Sequence, residues 1–214
     1  KVKPALEACR EAGVVVINVD TVVKDREYVV TVIETDNYQA GVLCAEDMMK
    51  RVDSARIVII DNPIQTSITN RVRGFLDTIE GNDSYQVVYT QAGAGEFEVS
   101  ADVIGEFLKK DMEFNVVLGG NDPSALGALA ALQQYHREEG VLIYGIDGSP
   151  DFKAMLELGA VSGTSAQSPK TIGEVAVKKA YDYLNGAEIE PYISIEPYMI
   201  TRENLNAYEI NGWQ

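Results

Sequence analysis

Short runs of β-branched residues recur along the chain, each followed by about ten to eighteen residues in which apolar side chains return every three or four positions. The runs predict strands at VVVINV from Val14, VVTVIE from Val29, RIVIID from Arg56, YQVVYT from Tyr85, FNVVLG from Phe114, VLIYGI from Val141, VSGTSA from Val161 and YISIEPYMI from Tyr192. Their near-continuous apolar character suits strands covered on both faces, and strands that alternate with helices predict parallel sheets of α/β type.

The helical stretches carry start signals. Pro4 stands in a first turn, Asp36 or Asn37 precedes YQAGVLCAEDMMKRV, and Thr66 or Ser67 precedes ITNRVRGFLDTI. Asp122-Pro123 opens SALGALAALQQY and Ser168-Pro169 opens KTIGEVAVKKAYDYL. A capping side chain followed by proline satisfies orphan amides without breaking the helix. Neither a solenoid repeat nor a low-complexity tract interrupts the alternation. The chain opens directly in a helix that feeds a strand, and this reading expects a further stretch upstream.

Length and composition then narrow the function. With 214 residues, 46% of them hydrophobic, the chain can bury a substantial core as one large domain or two small ones. A net charge of −15 opposes phosphate backbones and anionic membranes, which argues against nucleic acid as a partner. No apolar run reaches the roughly 20 residues that span a bilayer, so no membrane insertion is expected. The two cysteines, Cys9 and Cys44, sit in helix-patterned stretches and read as buried free thiols. With His136 as the one histidine, at the end of a helical stretch, neither a zinc site nor a Cys/His nucleophile can be assembled. GAGEFE lacks the third glycine of a dinucleotide fingerprint, and neither GxxxxGK[ST] nor GxSxG occurs. No cofactor and no metal are expected.

Polar residues collect where strands end: Asp20-Thr21, Asp36-Asn37, Asp61-Asn62, GAGEFE from Gly93, GGND from Gly119, Asp147-Gly148 and Gln167. Each alone is an ordinary turn or cap residue. Together they put paired donors and acceptors at the carboxyl ends of parallel strands, where open α/β sheets bind ligands, and such groups suit neighbouring hydroxyls. Arg71, about one turn into the helix after the third strand, adds a planar fork that can hold hydroxyls while pairing with Asp20 or Asp147.

GVVVINVD, ETDNYQAG, TSITNRVRGF, VLGGNDPSALGALAAL, YGIDGSPD and GTSAQSPKTIGEVAV stand in this order over essentially the whole chain. They resemble the type I periplasmic binding proteins, specifically the ribose-binding-like sugar receptors of ABC transporters. The set GGND-x-x-ALGALAAL, GIDG-x-PD and AQ-x-P carries the likeness. Effector cores of LacI-like regulators share the fold, but the ending EPYMITRENLNAY looks like the transport-receptor tail, and no helix-turn-helix is present.

The resemblance implies two Rossmann-like lobes joined by a three-strand hinge, with the first lobe lacking about three initial strands and their stacking aromatics. The amino-terminal lobe would hold residues 1–35 and 168–196, and the carboxy-terminal lobe 36–167 and 197–214. It implies ligand contacts from Asp20, Thr21, Arg71, Asn121, Asp147 and Gln167, with Glu96 and Phe97 at the position of a further contact. Two departures separate the chain from ribose binders: Thr21 stands for a second arginine, and Ile146 for an aromatic before the acid. The implied function is that of a monomeric, non-enzymatic extracytoplasmic receptor, periplasmic or extracellular and free or lipid-anchored. It would close on a monosaccharide or polyol and dock with an ABC transporter permease or a sensor kinase. The alternatives are the effector core of a LacI-like regulator and a sensory domain for a sugar-like signal; a sugar hydrolase or isomerase finds no nucleophile or metal cluster to support it.

Overall fold

The computed structural model describes residues 2–213. In chain order its main elements are α1 (Lys3–Glu11), β1 (Asn18–Val19), β2 (Val32–Thr35), α2 (Asn37–Arg51), β3 (Ala55–Asp61), α3 (Thr66–Ile79), β4 (Tyr85–Ala92) and α4 (Phe97–Leu108). There follow β5 (Val116–Gly119), α5 (Asp122–Gln134), β6 (Leu142–Asp147), α6 (Pro150–Leu158), β7 (Gly163–Ala166), α7 (Pro169–Leu184), β8 (Tyr192–Ile195) and β9 (Tyr198–Thr201). They form two compact units: residues up to Asp36 with Ser168–Glu196, and Asn37–Gln167 with the residues from Pro197 on.

The first unit has a three-stranded parallel sheet in the order β1-β2-β8. Only its middle strand, β2, is buried along its whole length. The run VVVINV shortens to the two residues of β1, because Val14 and Val15 lie at the surface and lack the cover that their sequence pattern predicts. On α7, Ile172 is buried while Val177, Tyr181 and Leu184 are exposed.

The second unit is a six-stranded sheet in the order β4-β3-β5-β6-β7-β9, parallel except for β9, which runs antiparallel to β7. Alternation along β3 sends Val58 and Ile60 into one core with Ile104, Phe107, Val117 and Phe152. Ile57 and Ile59 enter the other, with Met48, Phe75, Leu118 and Tyr144. A strand apolar at every position is thus one that serves two cores at once. Helices α2 and α3 cover one face, and α4 and α5 pack together on the other.

Further sequence expectations change. The run YISIEPYMI is two strands, since Pro197 cannot donate to a ladder; β8 pairs with β2 and β9 with β7. Helix α3 begins at Thr66 behind Gln65, with no side-chain cap, so neither Thr66 nor Ser67 is the cap. Helices α4 and α6 fill intervals for which the sequence reading names no start; α6 is nonetheless capped by Ser149, whose hydroxyl accepts from the Phe152 amide, and closed by Gly159 in the left-handed conformation. Cys44 is buried as expected, whereas Cys9 is half-buried. On α6 the Lys153 ammonium is fully buried and donates to the carbonyls of Glu209 and Gly212, which ties the end of the chain to this unit.

Candidate functional site

The carboxyl ends of β5 and β6, with α2 and α3, converge on one guanidinium. Arg71, on α3, donates from Nε to Asn37 Oδ1 at 2.8 Å and from Nη1 to the Gly120 carbonyl at 2.9 Å. The same Nη1 lies 3.2 Å from Asp147 Oδ1, with the arginine side chain 4% exposed and the carboxylate 17%. Gln167 Nε2 donates to that oxygen at 2.7 Å. A buried cation is stable only when paired and hydrogen-bonded, and here one anion and two neutral acceptors meet that demand.

Close backbone packing delivers these groups. A methyl on Gly41 of α2 would run into the Arg71 carbonyl, and one on Gly74 of α3 into that of Tyr38, so the two glycines let α2 and α3 touch along their backbones. Asn37 thereby comes within reach of Arg71. Asp147 has φ 149° and is followed by Gly148 at φ 75°, a turn in the region that favours glycine. The Gly148 amide donates to Thr164 Oγ1, which holds the turn.

Behind this pair, Asp122 is fully buried: Thr164 Oγ1 donates to its Oδ1 and the Ser149 amide to its Oδ2. Burial first, and then the neighbouring Asp147 carboxylate, push its carboxyl up to about 7.

Asn121 caps α5 by accepting from the Ser124 amide at 3.0 Å, while its Nδ2 donates to the Gly95 carbonyl. Asn62 Nδ2 donates to the carbonyl of Ala94. Ala94 and Gly95 are consecutive positive-φ residues, and the loop after β4 is pinned by the asparagines that follow β3 and β5. Glu96 and Phe97 follow it, both exposed at the start of α4.

Of the residues expected from sequence, the second unit therefore joins Arg71, Asp147 and Gln167 in one bonded set. Asn121 stands at the end of β5, beside Gly120 of that set, with its amide committed to a cap and a loop. Asp20 and Thr21 belong to the first unit, past β1, where Asp20 has φ 63° and its amide donates to Ile33. Asn37 and Asp122 read in sequence as a strand-end and a helix-start residue; nothing in their local pattern reveals that Asn37 bonds Arg71 or that Asp122 is buried beside Asp147.

A separate groove of about 480 Å³, lined by Arg56, Asp83, Glu113 and Phe114 among others, lies at the amino ends of β3–β5, where parallel sheets do not gather ligands. Among the described residues, no group of three or more His, Cys, Asp or Glu could hold a metal ion, and no helix is long and apolar enough to cross a membrane.

Known proteins share this fold. The ribose import binding protein RbsB of Bacillus subtilis is 26% identical over 90% of this chain, and that of Escherichia coli 25% identical over 93%. The chain spans 62% and 67% of their respective lengths. The arabinose-transporter periplasmic binding protein of Shewanella sp. ANA-3, bound to L-arabinofuranose, superposes with a TM-score of 0.89 at 26% identity, over 97% of this chain and 71% of that one. The Caulobacter myo-inositol binding protein, bound to myo-inositol, gives 0.88 at 27%, over 99% and 73%. Residues 1–188 match the family model described as the periplasmic binding protein domain, and the chain belongs to that family.

Proposed function

We propose that this chain is the greater part of an extracytoplasmic solute receptor that binds a monosaccharide or polyol and delivers it to an ABC transporter. The observation that carries the reading is the buried guanidinium of Arg71 held against Asp147, whose carboxylate still reaches solvent. A carboxylate fixed by Arg71 and Gln167 is a pre-oriented acceptor for adjacent hydroxyls, so little ordering remains to be done when a sugar arrives. The relatives' ligands, ribose, L-arabinofuranose and myo-inositol, have in common a compact body with several neighbouring hydroxyls. A bond left unmade in such a site costs about 1–3 kcal/mol, which is how it would separate one polyol from another.

In this reading the lobes expected at residues 1–35 with 168–196 and 36–167 with 197–214 correspond to the two units, with the first crossing one residue later, after Asp36. Asp20 and Thr21 supply contacts from the first, and Glu96 or Phe97 joins Arg71, Asn121, Asp147 and Gln167 from the second. Binding favours a closed arrangement by the difference between the contacts made closed and open. The protein acts outside the cytoplasm as a monomer, without catalysis. Calorimetry with D-ribose, D-allose, L-arabinose and myo-inositol tests this: one of them binds the wild type, and Asp147→Ala or Arg71→Ala weakens it at least about a hundredfold. Unchanged affinity in both variants removes these residues from the site.

A further inference from the structure

We propose that Asn37 is a positioning residue for Arg71, and that with Gln167 it fastens the Arg71–Asp147 pair to two of the places where the chain passes from one unit to the other. This rests on the receptor reading above and adds to it how occupancy of the site is felt by the connecting backbone.

Asn37 is the first residue of the second unit and Gln167 the last before the chain leaves it. The side chain of the former accepts from Arg71 Nε, and that of the latter donates to Asp147 Oδ1. The Gln167 amide also donates to the Asp147 carbonyl at 3.1 Å, so this connection is tied to the carboxylate's own backbone as well. Asn37, Arg71, Asp147 and Gln167 thus form one continuous chain of polar bonds, 2.7–3.2 Å each, whose two ends are connecting points.

Asn37 is the first residue of α2, one position beyond the cap. Here Oδ1 accepts from a side chain 34 residues away, and Asn37 is buried. The choice of a neutral amide is also informative. It fixes the plane of the guanidinium without cancelling its charge, which stays matched to the single carboxylate of Asp147. Ligand contact with Arg71 or Asp147 would therefore load both connections, and a loose connection would weaken the site in return.

The test is calorimetry on the whole chain with the same four sugars, followed by hydrogen exchange with the one that binds. Asn37→Ala is expected to lower affinity at least about tenfold. In an Arg71→Lys background, which has no guanidinium Nε–H, Asn37→Ala should cost less than about twofold further. Sugar should slow exchange in residues 34–40 and 165–171 of the wild type. Asn37→Ala at equal saturation should lose that protection in the first segment. A drop of the same size in the Arg71→Lys background overturns the proposal and makes Asn37 a structural residue of α2. That drop is read as affinity or, where Arg71→Lys binds none of the sugars, as urea midpoint. Wild-type affinity in Asn37→Ala overturns it too and leaves the receptor reading standing, whereas a wild type that binds none of the four sugars removes both.

Discussion

Arg71 Nη1 and Asp147 Oδ1 lie 3.2 Å apart, but the two sides of the pair are unequally wet, the guanidinium being 4% exposed and the carboxylate 17%. Asp147→Ala leaves a buried cation with only neutral acceptors and is expected to destabilise the protein by about 3 kcal/mol or more. Arg71→Met leaves a carboxylate that water can reach, and should cost less. Urea denaturation of the two variants checks the order; equal losses would mean that the pair is no more desolvated on one side than on the other.

Asp122 gives stability a definite slope with pH. Its carboxyl sits at about 7 in the folded chain against an ordinary 3.8, so the folded state holds the proton more tightly. The sign follows: this contribution is complete below about pH 4 and is lost as pH rises toward about 7. Asp122→Asn, which can accept from the Ser149 amide and donate to Thr164 Oγ1, should flatten the decline in Tm between those limits. On the acid side Glu203, lowered to about 2 by bonds from the Thr201 hydroxyl and Arg51, works the other way, its contribution lost as pH falls below about 4.5. Calorimetric Tm across pH 3–8 for wild type and Asp122→Asn separates the two.

Gly41→Ala places a methyl against the Arg71 backbone, with no flexible atom to give way. Helices α2 and α3 must separate, at an expected cost of about 1–3 kcal/mol. Because Asn37 and Arg71 ride on those helices, sugar affinity should fall with stability. Gly173→Ala, on α7 with open space around it, is the control: affinity should be unchanged and stability should rise by about 0.5–1 kcal/mol.

Asn121→Ala removes a helix cap and the hold on Gly95 together. About 1 kcal/mol of stability should go with the cap. Hydrogen exchange in residues 93–97 should accelerate more than elsewhere in the unit, whereas in Asn62→Ala, which loses the bonds to Ala94 and Gln65 but no helix cap, the stability loss should be the smaller.

The second unit was the more legible part of the sequence. Its strands carry apolar residues on both sides, as Ile57 to Ile60 show, and two-faced burial writes that pattern directly into the chain. The first unit was less so: Val14 and Val15 read as a buried strand yet lie at the surface, because burial depends on a neighbour that local sequence does not describe. Arg71, Asp147 and Gln167 could be singled out at strand and helix ends. Their bonding could not, since Asn37 meets Arg71 only through the close approach of α2 and α3 at Gly41 and Gly74, a long-range fact encoded in two ordinary-looking glycines. Asp122 was missed for the opposite reason: Asp before Pro at a helix start is so common a local signal that its full burial leaves no separate trace.

The buried ammonium of Lys153 has a practical corollary for whoever handles the protein. The only tryptophan, Trp213, follows directly on the Gly212 carbonyl that this ammonium grips. Its emission is therefore a native gauge of whether the tail is latched. Release of the tail can then be watched optically, without a dye.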